Sequence, residues 1–268
     1  MEQELGSELF HRARGNITLT AAGQALLPRA RRVLADEESI RTEMADLAGL
    51  RRGRVRLGAP PTLCVSLVAE ALTIFRARYP GVQLQIIEAG SHRLLEQLSG
   101  GELDLALIVT SEHAVNDKHL ENLPLLEEEL VVIDSLEHPH LAGSELDLRA
   151  LASVPQLAFS HSYDLRASTA LAYKNAGLAP NIVVEGGEMD AVLRFVQRGL
   201  GVAVVPATVA LDAPGVRSIA LPEPLTRTIG LAHRRDVSLT RAATAMAALL
   251  ADTAGQLASG NGQISSLA

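Results

Sequence analysis

Five short polar segments along the 268-residue chain carry the groups best suited to chemistry. Pro60-Pro61-Thr62 offers a hydroxyl and free backbone N–H groups where a helix should begin, a ready seat for an anion. Gly90-Ser91-His92 offers the same geometry, with a glycine that lets a ligand approach the backbone. Thr110-Ser111 and Ser160-His161-Ser162 add hydroxyls and one imidazole that charges near neutral pH and could pair with a carboxylate. Glu185-Gly186-Gly187-Glu188 leaves backbone donors open at Gly187 and sets Glu188 at a helix start, where its charge suits the dipole. Each has a plainer reading as a helix cap, a turn or a surface residue. Together they are equipped to bind a small molecule, with a weak chemical preference for carboxylates and other anions.

Catalytic signatures are missing. There is no Gly-x-Ser-x-Gly elbow, no phosphate-binding loop ending in Gly-Lys-Ser/Thr, and no His-Glu-x-x-His pair. Gly199-Leu200-Gly201 joins a helix to a strand, the reverse of what a dinucleotide loop requires, and reads as a turn. His138-Pro139-His140 lacks a third ligand nearby, and one cysteine, Cys64, builds neither a disulfide nor a thiolate zinc site. The reading is a non-enzyme without metal or cofactor.

The elements that must position these groups alternate. A strand at 55–59, helix 66–79, strand 82–88, helix 92–99 and strand 105–109 are punctuated by Pro80-Gly81 and Gly100-Gly101. After a strand at 130–134 the rhythm repeats: strand 156–159, helix 167–176, strand 182–185, helix 189–198, strand 202–205, then strand 228–233 and helix 239–253. Alternation of this kind predicts an α/β fold with parallel strands covered by helices on both faces. Ligands of such sheets sit at the carboxyl ends of strands, where the five polar segments fall. Residues 255–268, rich in Gly, Ser and Ala, read as a disordered tail.

Upstream, Phe10 to Leu19 reads as a two-stranded arm turning at Gly15-Asn16 and bearing Arg12 and Arg14. Thr20 suits the N-cap of a helix reaching about Leu47. Within it Leu26, Ala30, Val33, Glu37, Ile40, Met44 and Leu47 alternate spacings of four and three, the repeat of a two-stranded coiled coil broken once by Glu37. Arg29, Arg31, Arg32 and Arg41 read as solubilising or intersubunit charges. A basic arm feeding a dimerising helix is the back half of a DNA-binding module.

Composition bounds this. With 47% hydrophobic residues but 3% aromatics and no Trp, the core must be aliphatic. The net charge of −7 argues against broad nucleic-acid affinity, yet residues 1–54 carry nine arginines against eight acidic residues. A small DNA footprint ahead of an acidic ligand-binding portion fits that distribution. The start lacks the basic and apolar regions of a signal peptide, and no apolar run approaches the ~18 residues of a membrane span. The expectation is a cytoplasmic protein.

These features resemble the LysR-type transcriptional regulators. The end of that family's winged helix-turn-helix stands here as Met1-Glu2-Gln3-Glu4-Leu5-Gly6-Ser7-Glu8-Leu9-Phe10-His11-Arg12, with Met1 in place of a leucine, followed by Leu19-Thr20-Ala21-Ala22-Gly23. Gly101-Glu102-Leu103-Asp104-Leu105-Ala106, His138-Pro139, the run 196–206 and Arg234-Arg235-Asp236 extend the likeness to about residue 254. The resemblance implies a two-lobed effector domain like the periplasmic binding proteins. Lobe one is then 54–128 plus 233–254 and lobe two 129–232, behind a linker helix and hinge at 20–53 and the wing remnant at 1–19. It implies that Thr62, Gly90, Ser91, Thr110, Ser160, His161 and Gly187 face a small-molecule effector, that Arg12 and Arg14 touch DNA phosphates, and that Leu26, Val33, Ile40, Met44 and Leu47 pair two chains as a dimer, with a tetramer as the family's habit. It also places roughly thirty residues of the reading head before Met1. A second reading stays open: a ligand-binding dimerisation protein without specific DNA binding. An enzyme or exported solute-binding protein on the same fold has no use for the wing and helix.

Overall fold

The computed structural model describes all residues except 14–15, 47–52, 111–117, 143–145, 161–163, 212, 222, 261 and 268. A single helical turn, α1 (Glu2–Leu5), ends at Gly6 in the left-handed conformation and leads into a hairpin of β1 (Phe10–Ala13) and β2 (Asn16–Leu19). Its register sets Phe10 opposite Leu19 and Arg12 opposite Ile17. The linker helix α2 (Ala21–Asp46) follows, and the Thr20 hydroxyl caps it by accepting from Gly23 N–H at 3.0 Å. Arg14 and Leu47 lie outside the described residues, as does most of the hinge.

The effector region opens with β3 (Gly53–Ala59), α3 (Pro61–Leu63), a π-helical turn (Cys64–Val68) and α4 (Ala69–Arg78), the last three running on as one stretch. Next come β4 (Val82–Glu88), α5 (Ser91–Ser99), β5 (Leu105–Thr110) and the long β6 (Leu120–Ser135). The second lobe adds α6 (Leu148–Ser153), β7 (Gln156–Phe159), α7 (Asp164–Asn175), β8 (Ile182–Gly187), α8 (Met189–Gln197), β9 (Ala203–Pro206), α9 (Ala207–Ala210) and β10 (Val216–Ile219). The chain returns through β11 (Leu225–Arg234) and closes with α10 (Arg241–Ser259) and β12 (Ile264–Ser266).

The sheet is mixed, not all parallel as the alternation predicts. Strands β3, β4 and β5 pair in parallel, and β7 with β8. The two strands that carry the chain between lobes, β6 and β11, run antiparallel to each other, and β9, β10 and β12 also pair antiparallel with β6. A chain that crosses out and back must produce such a pair. Residues 228–232 of β11 hydrogen-bond with β5, so the second crossing falls earlier than the 233 read from sequence.

The expected disordered tail is also corrected. Helix α10 continues to Ser259, and β12 pairs Ile264 with Glu128 and Ser266 with Leu126, burying Ile264. Alanines and Leu257 extend the apolar helical face past Thr253, which a Gly, Ser and Ala count overlooks. One aliphatic core, from Val55 and Leu57 through Phe75 and Leu107 to Met246 and Leu250, fills the space beneath α4 and α10. A smaller one, with Leu94, Leu98, Leu103 and Ile108, lies under α5.

Candidate functional site

Three strand ends of the two lobes converge on one cleft of about 580 Å³. From lobe one, β3 delivers Pro60 to Thr62 and β4 delivers Glu88 to Gly90. From lobe two, α7 presents Asp164 and β8 leads to Glu188. The crossing strand β11 supplies Arg227.

Arg227 is a buried cation, and its neutralisation shapes the site. Its Nε and Nη2 donate to Glu128 Oε1 at 2.9 and 2.7 Å, with side chains 4% and 0% exposed. Glu128 Oε2 accepts from Thr208 N–H at 3.1 Å, so both carboxylate oxygens are used. Arg227 Nη2 also donates to Thr62 Oγ1 at 3.1 Å. Thr62 is therefore a buried brace on the arginine, not the open cap its sequence suggests; Pro60 holds the cap position of α3. Neither Arg227 nor Glu128 stood out in the sequence, although one signal was present. Both fall on the inward face of strands with period-two burial, beside Ile229 and Leu231 and between Leu126 and Leu130, where a charge requires a partner.

Ser91 is the first residue of α5, after Gly90 at its cap. Its Oγ donates to Asp164 Oδ2 at 2.7 Å and accepts from Val109 N–H at 2.9 Å, while Ser91 N–H reaches Asp164 Oδ2 at 3.3 Å. The expected anion seat is thus filled by a carboxylate of the opposite lobe.

The remaining sequence candidates stand differently. Thr110 Oγ1 donates to the Thr228 carbonyl at 3.2 Å and binds β5 to β11. Ser160 directly follows β7, half-buried, and is not among the residues around the cleft. Gly187 packs against Val192, where a Cβ would come within 2.8 Å of Cγ2; its neighbour Glu188 lines the cleft instead. His161 lies outside the described residues. The structure gathers Thr62, Gly90 and, through Asp164, Ser91.

Cys64 sits beside this cleft with its thiol pushed up to about 12, first by burial and then by the charge and hydrogen bonding of Glu88. It stays a thiol and is no nucleophile at neutral pH. His138-Pro139-His140 wraps Asp134, whose carboxylate accepts from His140 and Leu141 N–H groups, and His140 Nε2 lies 2.8 Å from the Gly199 carbonyl. Gly199 takes φ +71 with His138 packed against it, so this corner is a fold-building turn. Among the described residues no group of three or more His, Cys, Asp or Glu could hold a metal ion.

The linker helix docks on lobe one. Arg234 donates to Asp36 at 3.0 Å and to Asp236 at 3.1 Å, Arg31 pairs with Glu102 at 2.7 Å, and Arg32 pairs with Asp236. Arg31 and Arg32 thus have partners within the chain. Gly101, at φ +75, lets Ala35 approach so closely that a Cβ would come within 2.8 Å.

A wing, a linker helix and a two-lobed cleft crossed by two strands are joined by a direct match to a family model, the LysR substrate binding domain, over residues 48–255. The chain belongs to the LysR family of transcriptional regulators. It is 30% identical over 213 residues to a probable nitrogen assimilation transcriptional activator of Synechococcus elongatus, spanning 80% of this chain and 69% of that protein. Full-length OxyR of Pseudomonas aeruginosa, solved as a cysteine variant, superposes with a TM-score of 0.71 at 25% identity, over 94% of this chain and 81% of that one. The effector-binding domain of QuiR, solved with shikimate, shares the fold at a TM-score of 0.63 and 23% identity, over 75% of this chain and 96% of that one. LysR-type proteins are regulators, not enzymes, and their effector-binding domain has this two-lobed fold. Among the described residues no helix is long and apolar enough to cross a membrane.

Proposed function

We propose that this LysR-type regulator senses a small anion, a carboxylate above all, in the cleft between its lobes. The carrying observation is the convergence of Thr62, Gly90, Asp164, Glu188 and Arg227 from both lobes and a crossing strand on one cleft. A ligand that touches both lobes binds one arrangement of them best and so shifts the equilibrium towards it. The helix start at Gly90-Ser91 favours negative charge, while the Arg227 guanidinium is already neutralised by Glu128. Glu88, Asp164 and Glu188 around them restrict the site to ligands whose anion lands on those donors. On this reading two chains pair through α2, Arg12 and Arg14 of the wing contact DNA phosphates, and the protein works in the cytoplasm.

The test is thermal unfolding of the full chain against a panel of small mono- and dicarboxylates, with matched amines as controls. At a hundredfold excess over Kd a true effector adds about 2.7 kcal/mol. That is a rise of roughly 5–10 °C for a protein of this size. The expected result is saturable stabilisation by one or a few carboxylates. Stabilisation by amines alone contradicts the anion assignment.

A further inference from the structure

We infer that Asp164 is the cleft's own occupant, a built-in carboxylate that an effector must displace. The contact spans 73 residues of sequence and joins the first turn of α7 in lobe two to the first residue of α5 in lobe one. One oxygen, Oδ2, takes both Ser91 donors, Oγ at 2.7 Å and N–H at 3.3 Å, and Ser91 is only 4% exposed. Val109 N–H donates to the same hydroxyl at 2.9 Å, which fixes the serine rotamer and turns its proton towards the aspartate. Oδ2 therefore holds the position a ligand carboxylate would take at a helix start with a hydroxyl beside it. Asp164 also lines the cleft, as do Thr62 and Arg227.

Two consequences follow. The lobes are tied by a charge-assisted hydrogen bond of their own, so closure alone does not signal an effector. The effector is an oxyanion that competes for Ser91, and its arrival frees the start of α7. Asp164 thus sets both the concentration at which the regulator responds and its preference for ligands with a compact carboxylate. The inference rests on the cleft being the effector site.

The experiment uses acetate, the chemical equivalent of the aspartate side chain, as the probe. Amide exchange of the peptide covering 90–95 is followed in the full-chain wild type, in Asp164→Ala and in Asp164→Ala/Ser91→Ala. Acetate is titrated to on the order of 0.5 M, against chloride at equal ionic strength, because a tethered carboxylate acts at millimolar or higher effective concentration. In Asp164→Ala exchange should be about tenfold faster or more, and acetate but not chloride should restore protection. Wild type should ignore acetate, and the double variant should respond far more weakly than Asp164→Ala. If Asp164→Ala does not fold, Asp164→Ser carries the same reading, since it keeps a polar group at the start of α7 but is too short to reach Ser91. Unchanged exchange in the variant, or acetate acting no differently from chloride, overturns the latch. Failure of the carboxylate panel to stabilise the protein would instead remove the effector assignment, so the two failures are separable.

Discussion

At the scale of single residues the site is organised by one buried ion pair. A charge out of water is tolerated only when paired and fully hydrogen-bonded, and Arg227 and Glu128 meet that condition with Thr62 and Thr208 as supporting partners. Glu128→Gln keeps the shape but strands the guanidinium, and should cost about 3 kcal/mol in urea unfolding. Replacing both partners, Glu128→Leu with Arg227→Met, should recover most of that loss. A Glu128→Gln cost below about 1 kcal/mol would contradict the pairing. Ser91 and Thr62 were legible as candidates because a hydroxyl at a helix start after a strand can serve either a cap or a ligand. Their partners were not. Asp164 lies 73 residues beyond Ser91 and Glu128 lies 99 before Arg227, separations that local patterns do not encode.

At the scale of elements, α2 has two faces. Arg31, Arg32, Ala35 and Asp36 dock on lobe one, whereas Val33, Ile40 and Met44 stand 68%, 60% and 59% exposed. Apolar residues exposed at heptad spacing form the seam through which we propose two chains pair, and Leu26 at its start is half-buried. Ile40→Asp with Met44→Asp should therefore halve the mass measured by light scattering without disturbing the effector lobes. An unchanged mass would remove α2 as the dimer element. The helix was readable from its cap and its repeat, the strand at 82–88 from its alternation of apolar and polar residues, and that at 156–159 from a short apolar run. The first half of β6 was missed because Leu120 to Glu129 carries Pro124 and five acidic or amide side chains. Only its place between β11 and other strands makes it a strand, through tertiary pairing that overrides local preference. β12 escaped for the same reason.

At the scale of the whole molecule, β11 links the cleft to the linker helix. Arg227 faces Thr62 near one end, and Arg234, seven residues on, holds Asp36 of α2. Cleft and linker helix are thus joined by one strand, roughly 23 Å at strand rise, the route by which the proposed sensing would reach α2. The two-lobed architecture followed from alternation and family resemblance together, while the mixed sheet and the ordered C-terminus needed the pairings themselves. The most direct measurement is a crystal structure of the chain with the carboxylate that stabilises it most. The account predicts the ligand between Thr62 and Gly90 on one side and Glu188 on the other, its carboxylate on Ser91 with Asp164 displaced. A ligand bound elsewhere, with the Ser91–Asp164 contact intact and the cleft empty, would contradict it.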